Sequence, residues 1–286
     1  MAGGEIGVVW PEGAEEGGGI VRVTLRHSGR LNAMTRAMWR QLREVFGRIH
    51  ASAGARCVLI EGDGEAFCAG GDISEYPGFR FDPASLRDFH ENDVWGGLSA
   101  MLACDVPVVA AIRGACMGAG LEIAACCDVR IAADSARFGA PIARLGFPMA
   151  PREAALVTDA VGESLARRML LEAATLGADV LVAQGFLARA VPGDRLAAEA
   201  GASAARIAAL APQAARLNKQ TLRAWKAVRG IDSASFSLHV AANTTECAIE
   251  NIANGMPPER DPYAYADSAE HREGIAAFLE KRPPRF

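Results

Sequence analysis

This sequence predicts an α/β fold: a repeated β/α core followed by an all-helical C-terminal part. Three observations carry that reading. Short apolar runs are each followed by a small-residue turn and then a helical pattern. Two of those turns are rich in glycine and lie about fifty residues apart. From about Ala197 the chain becomes alanine-rich, without a convincing strand, as far as Pro283-Pro284. Residues 1–196 are therefore expected to form the β/α core and residues 197–286 the helical region.

The elements follow in order. After a Gly/Glu-rich turn at Glu12 to Gly19, Ile20 to Leu25 alternates like a half-exposed strand. Thr35 is placed to cap a helix running to about Ile49, with Met38, Leu42, Val45, Phe46 and Ile49 on one stripe. Cys57 to Glu61 is a short buried strand that runs into the first glycine turn, Phe67-Cys68-Ala69-Gly70-Gly71-Asp72. Tyr76 to Asp93 mixes Pro, Gly, aromatics and both charges, as a mobile loop or a short helix would. A helix from about Asp93 to Cys104 precedes the strand Val108 to Ile112. The second turn, Gly114 to Gly120, leads into a short buried helix from Leu121 to Cys127, and Val129 to Ala132 is another strand.

Composition limits the function. Half of the 286 residues are hydrophobic and 22% are charged, enough to bury a core. A net charge of −4 gives no electrostatic footprint for nucleic acid. No apolar run approaches the roughly twenty residues of a membrane span, and Met1 to Pro11 lacks the pattern of a secretory signal. Seven irregularly spaced cysteines suit reduced thiols and a cytoplasmic location. The five histidines lack metal-ligand spacing, and there is no HExxH, CxxC pair or P-loop. Cys68 and Cys116 read as small-volume packing, and Asp72 as a cap for the helix that follows it.

The two glycine turns carry the chemistry. Each leaves main-chain N–H groups uncrowded at a strand-to-helix junction, an arrangement suited to holding negative charge. The amides of Gly71 and Ala119 are the candidate donors for a developing oxyanion. Glu122 follows Ala119 by about one helical turn, in the apolar setting of Leu121, Ile123, Ala124 and Ala125. That setting should raise its pKa towards neutrality, where proton exchange is efficient. The same features also fit tight packing and a glutamate that favours a helix dipole.

These residues resemble the enoyl-CoA hydratase/isomerase family, the crotonase superfamily. The resemblance rests on Arg30 to Met34, Phe67 to Glu75, Pro107 to Gly114, Gly118 to Glu122, Cys127 to Ala132, Phe138 to Pro141 and Glu273 to Arg282. It implies a crotonase-like ββα spiral core and a helical C-terminal trimerisation region, usually in a dimer of trimers. It implies an acyl-CoA thioester as substrate, with coenzyme A carried by the substrate and no separate cofactor or metal. The catalytic residues it implies are Glu122 with the Gly71 and Ala119 amides. Coenzyme A and the acyl group would be met by Arg30, Ala33, Ala69, Gly71, Asp72, Ile73, Ala119, Phe278 and Lys281, the last two across a subunit boundary. Arg30 fits a surface arginine equally well.

One departure stands against the matches. Hydratases of this family carry a second glutamate after a Phe-Gly-x-Pro stretch, and here Phe138-Gly139-Ala140-Pro141 is followed by Ile142. Ala150 falls where some isomerases carry a carboxylate. The resemblance thus implies hydration of a 2-enoyl-CoA with Glu122 as both acid and base. It also leaves open isomerisation, another enolate reaction, or a coenzyme-A-binding paralogue with little turnover. Glu153 or Arg144 could compensate for Ile142, although Glu153, after Pro151, reads as a surface residue at a helix start.

Overall fold

A computed structural model describes residues 3–11, 19–229, 263 and 265–285. The expected turn at Glu12 to Gly19 lies outside them except for Gly19, as do residues 230–262 of the expected helical region.

Six strands form the main sheet: β1 (Glu5–Val9), β2 (Ile20–Arg26), β3 (Cys57–Gly62), β4 (Val108–Ile112), β6 (Val129–Ala133) and β9 (Arg189–Val191), in that order across it. β1 runs antiparallel to β2 and every other neighbouring pair is parallel. Because side chains alternate along a strand, the sheet buries two faces. One face sends Val58, Ile60, Val108, Ala110 and Ile112 into the main core. The other sends Cys57, Leu59, Val109, Ala111, Ile131 and Ala133 against helix α8 (Leu196–Ala208). That helix meets them with Leu196, Ala200, Ala204 and Ala208, four residues spaced to share one helical stripe.

Helix α1 (Arg36–Ala51) covers the main core, packing against α3 (Trp95–Ala103). The Thr35 side-chain oxygen accepts from the Met38 amide at 3.1 Å, and Met38, Leu42, Val45, Phe46 and Ile49 are buried with Trp39. Between β3 and α3 the stretch expected as a loop or short helix is almost continuously helical. It comprises a 3₁₀ turn at Ile73–Gly78, helix α2 (Pro83–Asp88) and a π-type turn at Phe89–Val94.

A second sheet of three short strands was not foreseen. It contains β5 (Ala115–Met117), β7 (Arg137–Gly139) and β8 (Thr175–Gly177). β5 begins inside the second glycine turn, and helix α4 (Ala119–Ala125) follows it directly. The remaining described helices are α5 (Pro151–Val161), α6 (Glu163–Leu171), α7 (Ala178–Ala183), α9 (Pro212–Arg229) and α10 (Ala269–Leu279). Helix α10 packs on the 3₁₀ turns at Ile73–Gly78 and Ile142–Leu145, which brings the C-terminus beside the glycine turns.

Candidate active site

The two glycine turns meet through main-chain hydrogen bonds. The Cys68 amide donates to Ala115 O at 3.0 Å, and the Met117 amide returns a bond to Cys68 O at 2.9 Å. Two glycines allow this approach. Gly118 has φ 46°, a conformation costly for residues with a Cβ. A Cβ on Gly120 would fall 2.4 Å from Cys68 O, inside the contact distance of a backbone that cannot yield cheaply. Gly120→Ala is therefore expected to cost about 1–3 kcal/mol of stability despite the helix-favouring change, as read by urea unfolding.

The first turn is held from its other side by the loop around Asn32. Asn32 is buried with φ 59°, and its amide group donates to Asp63 O and Ala66 O, both at 2.8 Å. Met34 donates to Gly70 O and Asp72 donates to Met34 O, each at 2.8 Å. Asp72 also caps the following 3₁₀ turn, accepting from Ser74 N at 3.0 Å and Ser74 Oγ at 2.6 Å. These bonds use the Gly70 carbonyl and the Asp72 N–H, the main-chain groups that flank the Gly71 N–H. The Gly71 and Ala119 amides themselves find no acceptor among the described residues. Ala119 is the first residue of α4, two residues earlier than the sequence pattern suggests, so its N–H has no partner within the helix.

A cavity of about 440 Å³ opens at these amides. Its lining includes Arg30, Ala33, Ala69, Gly71, Asp72, Ile73, Ala119 and Glu122 from the expected set. Phe278, on α10, also lines this cavity. Lys281 is exposed and stands outside the lining. Arg144 and Ile142 line it too, and Arg144 donates to Ala173 O at 3.0 Å.

Glu122 is 8% exposed and lines the cavity. Burial, and then the neighbouring Glu153 charge, push its pKa up to about 8, with Arg80 pulling the other way. Its carboxyl is thus poised to exchange protons near neutrality.

Residues 15–286 match the sequence profile of the enoyl-CoA hydratase/isomerase family. The chain belongs to that family. A probable enoyl-CoA hydratase of Mycobacterium tuberculosis is 31% identical over 265 residues, 92% of this chain and 93% of that one. The 2,3-dehydroadipyl-CoA hydratase of Escherichia coli is 28% identical over 268 residues, 93% of this chain and 94% of its own length. A solved structure from Magnetospirillum magneticum, described as an enoyl-CoA hydratase/carnithine racemase, superposes with a TM-score of 0.72 at 34% identity, covering 98% of this chain and 94% of that one. The crotonase fold expected from the sequence is therefore the fold found.

Within the enoyl-CoA hydratase/isomerase family framework, the chain's own features stand out around Ile142. Glu153 corrects the expectation of a surface residue: it is 2% exposed and lines the cavity. His90 Nδ1–H donates to Glu153 Oε1 at 3.0 Å, so the π-type turn holds the carboxylate inside. Two further polar residues of the cavity, His90 and Arg80, escaped the sequence reading. The available signal was the aromatic density of Tyr76 to Phe89, where Arg80 sits between Phe79 and Phe81. Among the described residues, no group of histidine, cysteine and acidic side chains could hold a metal ion.

Proposed function

We propose that this protein acts on an acyl-CoA thioester, holding its enolate oxygen between the Gly71 and Ala119 amides. The default reaction is addition of water to a 2-enoyl-CoA. Ionised Glu122 takes a proton from water as the oxygen bonds to C3, and the double-bond electrons move to the thioester oxygen. Collapse of that enolate collects a proton at C2 from the Glu122 carboxyl, giving a 3-hydroxyacyl-CoA. Coenzyme A enters with the substrate, past Arg30 and the main chain of Ala33 and Ala69, and no other cofactor takes part.

The observation that carries this reading is the docking of the two glycine turns beside Glu122, with two amides left unaccepted in one cavity. Two such donors are worth having: removing one typically raises the barrier by about 3 kcal/mol. Ile142 favours a second reading, in which the same enolate is formed for isomerisation or another reaction, or is scarcely turned over. Glu153 answers part of that objection by supplying a second buried carboxyl to the cavity.

The proposed assembly is a homotrimer or a dimer of trimers, consistent with the exposed Leu217 and Leu222 of α9. A cytoplasmic site of action is consistent with six free, buried cysteines among the described residues. No described helix is long and apolar enough to cross a membrane.

Incubation with a panel of 2-enoyl-CoA and saturated acyl-CoA thioesters in deuterated water tests the proposal. Loss of enone absorbance with formation of 3-hydroxyacyl-CoA is the expected result. Exchange of the α-proton without hydration would point to the second reading, and tight binding with neither reaction would identify a low-turnover binder.

A further inference from the structure

Arg80 is a buried cation that the proposed reaction does not use. Its side chain is 1% exposed, yet it lines the acyl-CoA cavity. The guanidinium lies over two rings inclined at 69° to each other, 4.4 Å from the centroid of Tyr76 and 4.1 Å from that of Phe147. Among the described residues its one polar contact is Nη2–H donating to the Tyr265 hydroxyl at 3.3 Å, and its Nε–H is buried without an acceptor. No carboxylate among the described residues is close enough to pair with it. Glu153 is engaged by His90, and Glu122 acts on Arg80 only at longer range.

A permanently charged guanidinium stripped of water and left without a counter-ion is costly, and proteins keep such groups where something completes them. The aromatic rings supply cation–π attraction but leave the Nε–H without an acceptor. What fits an open guanidinium edge is a planar anion accepting in-plane hydrogen bonds, which is the geometry of a carboxylate.

The position of Arg80 says which part of the substrate would bring that carboxylate. The Tyr76 hydroxyl lies against Gly71, 2.1 Å from where a Cβ on that glycine would stand. Arg80 lies over the same tyrosine ring, so a single side chain, Tyr76, links it to the Gly71 side of the cavity. Arg30, the cation expected to meet the coenzyme A phosphates, is exposed by contrast. Resting on the reading of this cavity as an acyl-CoA site, we propose that Arg80 selects thioesters whose acyl group ends in a carboxylate. Dicarboxylic acyl-CoA thioesters are then the substrate class, and neutral fatty acyl groups of equal length are poor ligands.

The test is equilibrium binding, which does not depend on turnover. Succinyl-, glutaryl- and adipyl-CoA are titrated calorimetrically into the wild-type protein, beside butyryl-, pentanoyl- and hexanoyl-CoA as length-matched neutral partners. The expected result is at least one pair in which the carboxylated thioester binds roughly tenfold tighter or more. Arg80→Met, which keeps an apolar stem of similar length, should abolish that preference while holding or improving binding of the neutral partner. Arg80→Lys keeps a charge without the planar fork and should retain only part of it. Equal affinities within every wild-type pair would overturn the proposal even if no variant folds, as would a preference that survives Arg80→Met. A protein that shows the preference but hydrates no enoyl-CoA would keep this inference and lose the proposed reaction.

Discussion

Replacing Glu122 with glutamine is expected to lower hydration by roughly 10²–10⁴-fold while leaving acyl-CoA binding nearly intact. Glutamine keeps the volume on α4 but can neither take a proton from water nor return one. A steady-state assay beside a thioester titration checks both halves, since a rate lost together with affinity would indicate a binding role. The same carboxyl dictates a pH dependence. Burial first, then Glu153, raise the Glu122 pKa to about 8, so the ionised base becomes the dominant form only above that pH. The rate of base-dependent hydration should therefore rise as pH increases through this region. Glu153→Gln removes the second cause, and the rise should move to lower pH. Stability follows with the opposite sense. Between the ordinary carboxylate pKa and about 8 the folded state holds the Glu122 proton more tightly than the unfolded chain. Resistance to urea should accordingly fall as pH rises through that window, and Glu122→Gln should flatten this contribution.

Ala119→Pro is expected to lower kcat/KM by about 10²–10³-fold with little change in melting temperature. The substitution is mild for the fold because Ala119 is the first residue of α4, where a missing N–H breaks no intrahelical bond. Gly118 before it, at φ 46° and ψ −110°, is outside the right-handed helical region that a following proline disfavours. It is severe for the chemistry, since it replaces one of two proposed oxyanion donors by a methylene. A large fall in melting temperature would instead make Ala119 N–H a structural group. An unchanged rate would remove it from the mechanism.

What the sequence disclosed, and what it hid, divides on physical lines. The stripe of α1 and the buried runs of β3 and β4 were legible because burial there repeats with the period of the element. The glycine turns were legible because close approach admits little else, as Gly120 against Cys68 O illustrates. β5, β7 and β8 are three residues each, too short to show any period, and they exist because β5 is paired where the turns dock. The cavity's charged residues were hidden for another reason. Glu153 follows Pro151 as many exposed first-turn glutamates do, and only its tie to His90, sixty-three residues earlier in the chain, draws it inside. Arg80 is buried by Tyr76 beside it and by Phe147 from a distant segment, a meeting that no local pattern announces.

The account stands on two amides converging on a single carbonyl oxygen. A crystal structure of the protein with a saturated acyl-CoA bound measures this most directly. The account predicts the thioester oxygen about 3 Å from both Gly71 N and Ala119 N, with the Glu122 carboxyl facing C2 and C3 of the acyl group. A thioester seated in the cavity with its oxygen turned away from either amide, or bonded to a side chain in their place, would contradict it.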